Sequence, residues 1–520
     1  REGTRQCMRG LVRGCAVVGG IVLCAALLAA ALMALVNVAS GGSARSVQSI
    51  SSVRDLQEVL AEDTRVVAGM AERLFDTSLL GLPGGTTSEE DGAVIAAKLH
   101  FVFSTDCRPF QHWQSVALIG SARLVGQRGH FTRIVSDCPD EAAKQRVLII
   151  NQPRDGLTTV FAPKLRDSYP QQNRPDGLTH WLQNADPPIQ DDVILVVLDP
   201  DQMFMKPLTQ IEALERPATL KHWSEDRTVA VPGKPVGQGY GIGGFAKYVS
   251  ICEELWGKDS SEGCQAAVRR EAEENEYMVR HYSVGAPYMM AAGDMGKLAP
   301  LWSTLTPLVH AREPSIMADM WAYSMAAAHL GLEHDRVENL AISDPLGVPR
   351  NARAGGSHKG SIEGWQWIDD AYLDESAPLG AQHPCRCHTP VHSTDPSAEL
   401  PTLMHYCATY KIFHDGPDEP FTFGTSKYRM PDERILDCAH PLLAEPWAPS
   451  PPGVDILAYN TADRWAKYMH PGFPHVDRMP REAFSACQVV LMWNMAFTDH
   501  KRTFCPDGFN ANKTYYLMAL

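Results

Sequence analysis

The sequence predicts an α/β domain with a mainly parallel sheet, located behind an N-terminal transmembrane helix. Three observations support this prediction. Four arginines within residues 1–13 precede an uncharged apolar segment, Gly14–Ala39. Short apolar runs then alternate with stretches of helical periodicity, and one run, Val193–Leu198, contains no polar residue. Continuous apolar strands that alternate with helices are typical of parallel sheets covered on both faces.

The N-terminal segment is the first predicted element. Residues 14–39 are rich in Ala, Leu and Val, and at about 1.5 Å per residue a helix of this length spans a bilayer. Positive charge before the segment, but not directly after it, predicts a cytosolic tail of residues 1–13 and a luminal remainder. A cleaved signal peptide ending near Ser40 is the alternative, although the apolar region is longer than is usual for one. We therefore expect a single-pass type II protein with a signal-anchor.

The remaining chain divides by composition. Residues 40–95 are rich in Ser, Gly and charged residues and predict a membrane-proximal stem. The folded domain is predicted over residues 96–445, with a loop-rich insertion at 343–400 where Gly, Pro, His and Ser accumulate. A Pro-rich stretch then leads into a C-terminal extension, residues 446–520.

Charge and cysteine usage restrict the partners and the compartment. The net charge is -14, and no run of Lys or Arg interleaved with aromatic residues follows the N-terminal segment. This argues against nucleic acid as a partner. Of the 13 cysteines, all but Cys7, Cys15 and Cys24 follow the predicted anchor. In an oxidising lumen these cysteines predict disulfides, whose connectivity is left open.

Periodicity places further strands and helices along the domain. Strands are predicted over Lys98–Ser104, Phe131–Val135 and Val193–Leu198, and helices over Trp113–Leu124, Gly177–Gln183, Phe245–Trp256, Met295–Leu301 and Ile316–Leu330. A Gly-rich stretch around Gly239 and Gly244 is interpreted as a flexible loop, because no βαβ unit follows it.

Two carboxylates directly follow the most apolar strand. Asp199 and Asp201 form an Asp-x-Asp motif after Val193–Leu198. A buried strand that ends in carboxylates supplies hard oxygen ligands at the sheet edge where α/β folds bind nucleotides. A divalent metal held there can neutralise a diphosphate leaving group. Asp-x-Asp alone is a weak signal, and a solvated turn is the alternative.

Several stretches, in a consistent order and spacing, resemble one group of enzymes. They are HFVFSTDCRPFQHWQSVAL, GHFTRIVS, NRP followed by THWLQ, DPDQMFMKPL, SVGAPYMMAAGDMGKLAPLW, DMWAYSMAAAHLGLEH, LMHYC and FTFGTSKYR. Together they resemble the plant and algal hydroxyproline O-arabinosyltransferases and the related peptidyl serine α-galactosyltransferases. The similarity covers roughly residues 100–438, with a gap over the insertion.

The resemblance implies a Golgi glycosyltransferase with a luminal, Rossmann-like catalytic domain of GT-A type. It also implies that Asp199 and Asp201 hold Mn²⁺, or another divalent cation, against the diphosphate of a UDP-sugar donor. By the same resemblance Asn173 and Arg174 face the donor. Pro200, between the two carboxylates, departs from one branch of the family, which leaves the choice of donor sugar open.

A late histidine and lysine are further candidates. Many metal-dependent GT-A enzymes supply a histidine from late in the chain as a metal ligand, and some add a lysine six residues on. Here these positions are His405 and Lys411. Imidazole coordinates Mn²⁺ through a neutral nitrogen, and an ammonium stabilises a departing diphosphate. The alternative is a packed histidine and a surface lysine.

Two more carboxylates complete the candidate set. Asp106 follows the first strand, where such folds meet the nucleobase or ribose, although a strand-end cap has the same appearance. Asp319 opens an amphipathic helix, where an acid could orient or deprotonate the acceptor hydroxyl. A first-turn carboxylate that interacts with the helix dipole is the alternative for Asp319.

The predicted reaction is sugar transfer from a UDP-sugar to the hydroxyl of hydroxyproline in a secreted or cell-wall glycoprotein, with arabinose as the sugar. Transfer of α-galactose to peptidyl serine is the alternative, because different stretches favour different branches. A catalytically silent luminal scaffold or lectin-like binder is a further alternative. Retention of Asp199, Asp201 and His405 argues against it, since a binder has no need of a diphosphate-metal site.

Overall fold

Four β-sheets and eleven α-helices build the part of the chain that the structure, a computed structural model, describes. The described residues are 99–151, 156–163, 169–209, 230–258, 263–337, 340–343, 345, 363–373, 377–415, 420–446, 478–515 and 517. The predicted tail, anchor and stem, residues 1–95, lie outside them. Among the described helices, none has the length and apolar character needed to cross a bilayer.

The structure contains each predicted strand and helix, with shifted boundaries, and adds others that the sequence analysis did not place. In chain order the strands are β1 (Leu99–Asp106), β2 (His130–Ser136), β3 (Leu157–Phe161), β4 (Ile194–Leu198), β5 (Gln202–Phe204), β6 (Val236–Gly239), β7 (Val284–Ala291), β8 (Asp335–Val337), β9 (Ala341–Ile342), β10 (Leu403–His405), β11 (Thr409–Asp415), β12 (Pro420–Ser426), β13 (Leu442–Leu443) and β14 (Lys513–Tyr515). The helices are α1 (Pro109–Leu124), α2 (Glu141–Ile150), α3 (Asn173–Asn184), α4 (Val249–Trp256), α5 (Cys264–Glu273), α6 (Tyr277–Tyr282), α7 (Ala292–Arg312), α8 (Ala318–His329), α9 (Glu363–Ile368), α10 (Pro384–Cys387) and α11 (Arg478–Phe504).

A seven-stranded sheet in the order β3-β2-β1-β4-β7-β6-β8 organises the fold. Strands β3, β2, β1 and β4 pair in parallel, as do β6 and β8, whereas β7 runs antiparallel to both of its neighbours. The prediction of an α/β fold with a mainly parallel sheet is therefore confirmed. A smaller sheet has the order β5-β10-β9, and its strand β5 comes shortly after β4 in the chain.

Strand β4 shows why this sheet is buried on both faces. All five of its residues are buried. Leu195 and Val197 pack into the apolar cluster that includes Trp302 of α7. Val196 and Leu198 pack into the opposite cluster, with residues of α1. Because successive side chains point to opposite faces of a strand, only an uninterrupted apolar run can serve both clusters.

Helix α3 is held close to the parallel strands. A Cβ added at Gly177 would lie 2.9 Å from Cγ2 of Ile134 on β2, so a larger residue would push the helix away. At the start of the helix, the Ser104 hydroxyl donates to the Asn173 carbonyl at 3.2 Å. These two contacts fix the first turn of α3, which carries Arg174, beside the C-terminal edge of the sheet.

The segment predicted as a C-terminal extension contributes a long helix that packs on α1. A Cβ added at Gly120 of α1 would lie 2.6 Å from Cβ of Ala496 on α11. The rings of Trp113 and Trp493 meet edge to face with centroids 5.3 Å apart. Both tryptophans are fully buried, so α11 belongs to the same apolar core as α1.

Four disulfides cross-link the described chain. They are Cys107–Cys138, Cys252–Cys264, Cys385–Cys487 and Cys438–Cys505. The prediction of disulfides is confirmed for eight of the ten cysteines that follow the predicted anchor, while Cys387 and Cys407 are free thiols. The pair Cys385–Cys487 joins the predicted insertion to α11.

Candidate metal centre

The Asp-x-Asp motif lies where the order of the parallel strands reverses. The chain builds β1, β2 and β3 toward one side and then returns to place β4 on the other side of β1. Ligands of open α/β sheets bind in the crevice at such a switch point, outside the carboxyl ends of the strands. Asp199 and Asp201 directly follow β4 and therefore stand at this crevice.

The small sheet brings His405 to the same place. Strand β10 pairs antiparallel with β5, with His405 opposite Gln202. The Tyr406 amide donates to the Asp201 carbonyl at 3.0 Å, which extends this pairing. The Gln202 side chain accepts from the Asp199 amide at 3.1 Å and donates to the Ala286 carbonyl at 3.0 Å. These bonds shape the turn that carries both carboxylates.

Asp199, Asp201 and His405 form a group able to hold a metal ion. One ligand atom from each lies within 4.8 Å of the others. Nε2 of His405 is 3.4 Å from Oδ1 of Asp201 and 3.9 Å from Oδ2 of Asp199. Two carboxylate oxygens and an imidazole nitrogen suit Mn²⁺ or a similar divalent cation. All three side chains are largely buried, so solvent competes weakly for these donors.

Two cations hold the remaining carboxylate oxygens. The Arg174 guanidinium hydrogen-bonds to Oδ1 of Asp199, and the Lys427 ammonium hydrogen-bonds to Oδ2 of Asp201. Each carboxylate thus has one oxygen on a cation and one oxygen facing His405. A second nitrogen of Arg174 lies 3.1 Å from Oδ2 of Asp319, whose side chain is 2% exposed. Arg174 therefore links the Asp-x-Asp motif to a buried acid.

The pKa values reflect this mutual neutralisation. Burial alone would raise the pKa of Asp201, but His405 and Lys427 hold it well below its usual range. Burial alone would lower the pKa of His405, but Cys407 and the carboxylates raise it to about 9. The raised pKa favours the protonated imidazole, and a metal ion that binds its nitrogen would have to displace that proton.

The pKa of Asp319 is shifted upward, opposite to that of Asp201. Burial is the largest influence and raises its pKa to about 6, against the opposing effect of Arg174. A shift of this kind is common at functional sites. The Asp319 carboxylate contacts Arg174, which also binds Asp199. In this structure Asp319 therefore helps to position Asp199 through Arg174. Its expected direct contact with an acceptor hydroxyl would require a more exposed side chain.

The two other donor-facing candidates, Asp106 and Asn173, occupy the same sheet edge. Asp106 accepts from the amide of Arg108 at 2.9 Å and from its Nε at 2.6 Å. This is the strand-end cap that the sequence left as an alternative. Asn173 begins α3, and its carbonyl accepts from Ser104. The structure thus brings Arg174 to Asp199, while the described bonds of Asp106 are local.

Lys411 lies on β11, where its backbone is opposite Gly424. Its side chain falls outside what the structure describes, so the predicted phosphate contact stays a prediction. The sequence analysis missed Lys427, which follows β12 in the FTFGTSKYR stretch. The available signal was the position of this lysine within a stretch that resembles the family.

A second missed residue comes from the Gly-rich stretch. The hydroxyl of Tyr240 lies 3.2 Å from Nδ1 of His405. A partner on the second ring nitrogen commonly fixes the orientation of a metal-binding histidine and leaves the other nitrogen available. The stretch interpreted as a loop therefore supplies a residue that orients His405 toward the carboxylates.

Comparison with known proteins identifies relatives of this chain. It is 27% identical over 279 residues to a peptidyl serine alpha-galactosyltransferase of Arabidopsis thaliana, a match that covers 51% of this chain and 30% of that protein. It is 32% identical over 136 residues to a protein of the same name from Chlamydomonas reinhardtii, covering 25% of this chain and 17% of that protein. The chain thus spans less than a third of either relative. No family model matches the chain.

Proposed function

We propose, from the confirmed relationship of this chain to the peptidyl serine alpha-galactosyltransferases, that it is a metal-dependent glycosyltransferase of GT-A type. In the proposed reaction a galactosyl group leaves a UDP-sugar and is transferred to the hydroxyl of a serine in a secreted protein. The observation that carries the proposal is the convergence of Asp199, Asp201 and His405 at the crevice between β1 and β4. The names of both relatives favour galactosyl transfer to serine, which the sequence analysis held as the alternative.

Asp199, Asp201 and His405 would hold the cation, which supplies positive charge against the diphosphate as the bond to the sugar breaks. In that step the bond between the anomeric carbon and the phosphate oxygen would break, a bond to the serine oxygen would form, and the hydroxyl proton would pass to the departing phosphate of UDP. Arg174 keeps Asp199 in place, and Asp319 keeps Arg174 in place. Tyr240 orients the imidazole of His405. These contacts hold the three metal-ligating side chains in position before the metal binds. Metal binding then costs less free energy for ordering the site.

The decisive experiment is release of UDP from a panel of UDP-sugars, with and without Mn²⁺. The purified chain is incubated with UDP-galactose or UDP-arabinose and with matched peptides that contain serine or hydroxyproline. We expect Mn²⁺-dependent release with UDP-galactose and the serine peptide. Release only with UDP-arabinose and the hydroxyproline peptide would support the arabinosyl function instead. No release with any donor would favour the scaffold or lectin-like alternative.

We also propose that the protein is a Golgi membrane protein anchored by residues 14–39. Support comes from the length and charge flanks of this segment and from the four disulfides, which suit an oxidising compartment. Alkaline carbonate extraction of cells that express the full chain tests the anchor. We expect the protein to remain with the membrane pellet, and its release at full length into the soluble fraction would contradict this proposal.

A further inference from the structure

Lys427 joins two sides of the crevice between β1 and β4. Its ammonium binds Oδ2 of Asp201 at the end of β4. The next residue, Tyr428, stacks in parallel on Phe110 at the start of α1, with ring centroids 6.0 Å apart. Helix α1 follows β1 in the chain. The segment that begins at Lys427 therefore contacts both the turn after β4 and the helix that follows β1, beside the crevice in which a ligand of this fold would lie.

The charges around the motif determine which ligand the site favours. The carboxylates of Asp199 and Asp201 are balanced by the cations of Arg174 and Lys427, each of which contacts one of them. A bound divalent cation then gives this group of four side chains a net positive charge. Without Lys427 and Arg174 the same cation would only neutralise the two carboxylates. An anionic diphosphate is attracted by the first arrangement far more than by the second.

Lys427 is placed to contact such an anion directly. A lysine ammonium has three N–H donors, and among the described residues Asp201 accepts one of those of Lys427. The Lys427 side chain is 12% exposed, so the charge is largely shielded from bulk water. Arg174, by contrast, divides its nitrogens between Asp199 and Asp319.

We infer that Lys427 contacts the diphosphate of the sugar nucleotide, in the role that the sequence suggested for Lys411. This inference rests on the proposed function, because it assigns the diphosphate to the same metal site. Lys427 would contribute to nucleotide affinity, while Asp199, Asp201 and His405 determine metal affinity. A purely structural Lys427 would do no more than hold Asp201 in position.

Isothermal titration calorimetry separates these roles, because it measures UDP binding at saturating Mn²⁺ and Mn²⁺ binding without nucleotide. We expect Lys427→Met to weaken UDP binding by about 10-fold to 100-fold, as for loss of a charge-assisted hydrogen bond. Mn²⁺ binding without nucleotide should be unchanged or tighter, because a nearby positive charge is removed. Lys427→Arg should restore most of the UDP affinity. Thermal unfolding checks that each variant is folded.

Two further substitutions make the result specific. Lys501→Met removes another buried lysine, on α11, which donates to the carbonyl of His440, and should leave UDP affinity unchanged. Lys411→Met tests the competing lysine. Unchanged UDP affinity in Lys427→Met, or equal losses of UDP and Mn²⁺ affinity, would overturn the inference. Wild-type protein that fails to bind UDP with Mn²⁺ would instead contradict the proposed function itself.

Discussion

Carboxylates follow two neighbouring strands of the sheet, yet they are neutralised in different ways. Asp106, the last residue of β1, is bound by Arg108, two residues further along the chain. Asp201, after β4, is bound by Lys427 and faces His405, which come from distant parts of the sequence. A short-range partner stabilises a local turn. Long-range partners of opposite charge have to be assembled by the fold, and such an assembly is the better indicator of a functional centre.

The largest effect that this comparison predicts is at Asp201. Asp201→Asn should lower the rate of transfer by about 10³-fold or more, because an amide is a poor ligand for a hard cation and leaves Lys427 without its carboxylate. UDP release at limiting Mn²⁺ measures the rate, and circular dichroism checks the fold. A folded variant that keeps most of its turnover would remove Asp201 from the metal site.

The next effect concerns His405. His405→Ala should raise the Mn²⁺ concentration needed for half-maximal activity by about tenfold or more, since even groups that only support metal ligands contribute 10-fold to 100-fold to affinity. Lys411→Ala provides the comparison and should leave this concentration nearly unchanged. Equal Mn²⁺ dependence of wild type and His405→Ala would show that the histidine is a packing residue.

A third prediction tests Asp319 through the pH dependence of stability. Its pKa is raised to about 6 in the folded protein, against about 3.9 for an unfolded chain. The folded protein therefore binds a proton at Asp319 more tightly than the unfolded chain does. The resulting stabilisation of the folded state is fully present below about pH 4 and is lost as the pH rises through 6. The resulting change in unfolding free energy is at most about 3 kcal/mol.

Asp319→Asn removes this titration. Its stability relative to wild type should therefore improve as the pH rises from about 4 to 7. Chemical denaturation of the metal-free protein at several pH values measures the difference. Asp499→Asn, at an exposed carboxylate paired with Arg123, is the control and should show a flat difference. Parallel pH profiles for wild type and Asp319→Asn would contradict the prediction.

The smallest effect is expected at Asp106. Asp106→Asn keeps an oxygen that can accept the Arg108 amide and loses an ion pair whose arginine side chain is 63% exposed. Although the Asp106 side chain is only 7% exposed, water screens its exposed arginine partner, and such a pair contributes about 1 kcal/mol. We therefore expect little change in stability and less than about a threefold change in UDP affinity. A tenfold loss of UDP affinity would show that Asp106 contacts the nucleotide, as the resemblance suggested.

Much of the fold could be predicted because its signals are local. The Val193–Leu198 run appears as β4, and the apolar periodicity near Trp113 appears as α1. The C-terminal helix α11 was missed as part of the core, because its packing partner, α1, lies far away in the sequence. The interpretation of the Gly-rich stretch as a loop likewise gave no indication that Tyr240 reaches His405.

For the candidate site, the sequence by itself determined the ligand types: Asp199 and Asp201 after a buried strand and, through a family resemblance, His405. Only the tertiary structure decided which charges surround them. The contacts of Lys427 with Asp201 and of Arg174 with Asp319 join residues far apart in the chain. Strand and helix periodicity report which face of an element is buried, whereas an ion pair depends on how several elements pack together. That packing is what turns two carboxylates after a strand into part of a group that could hold a metal ion.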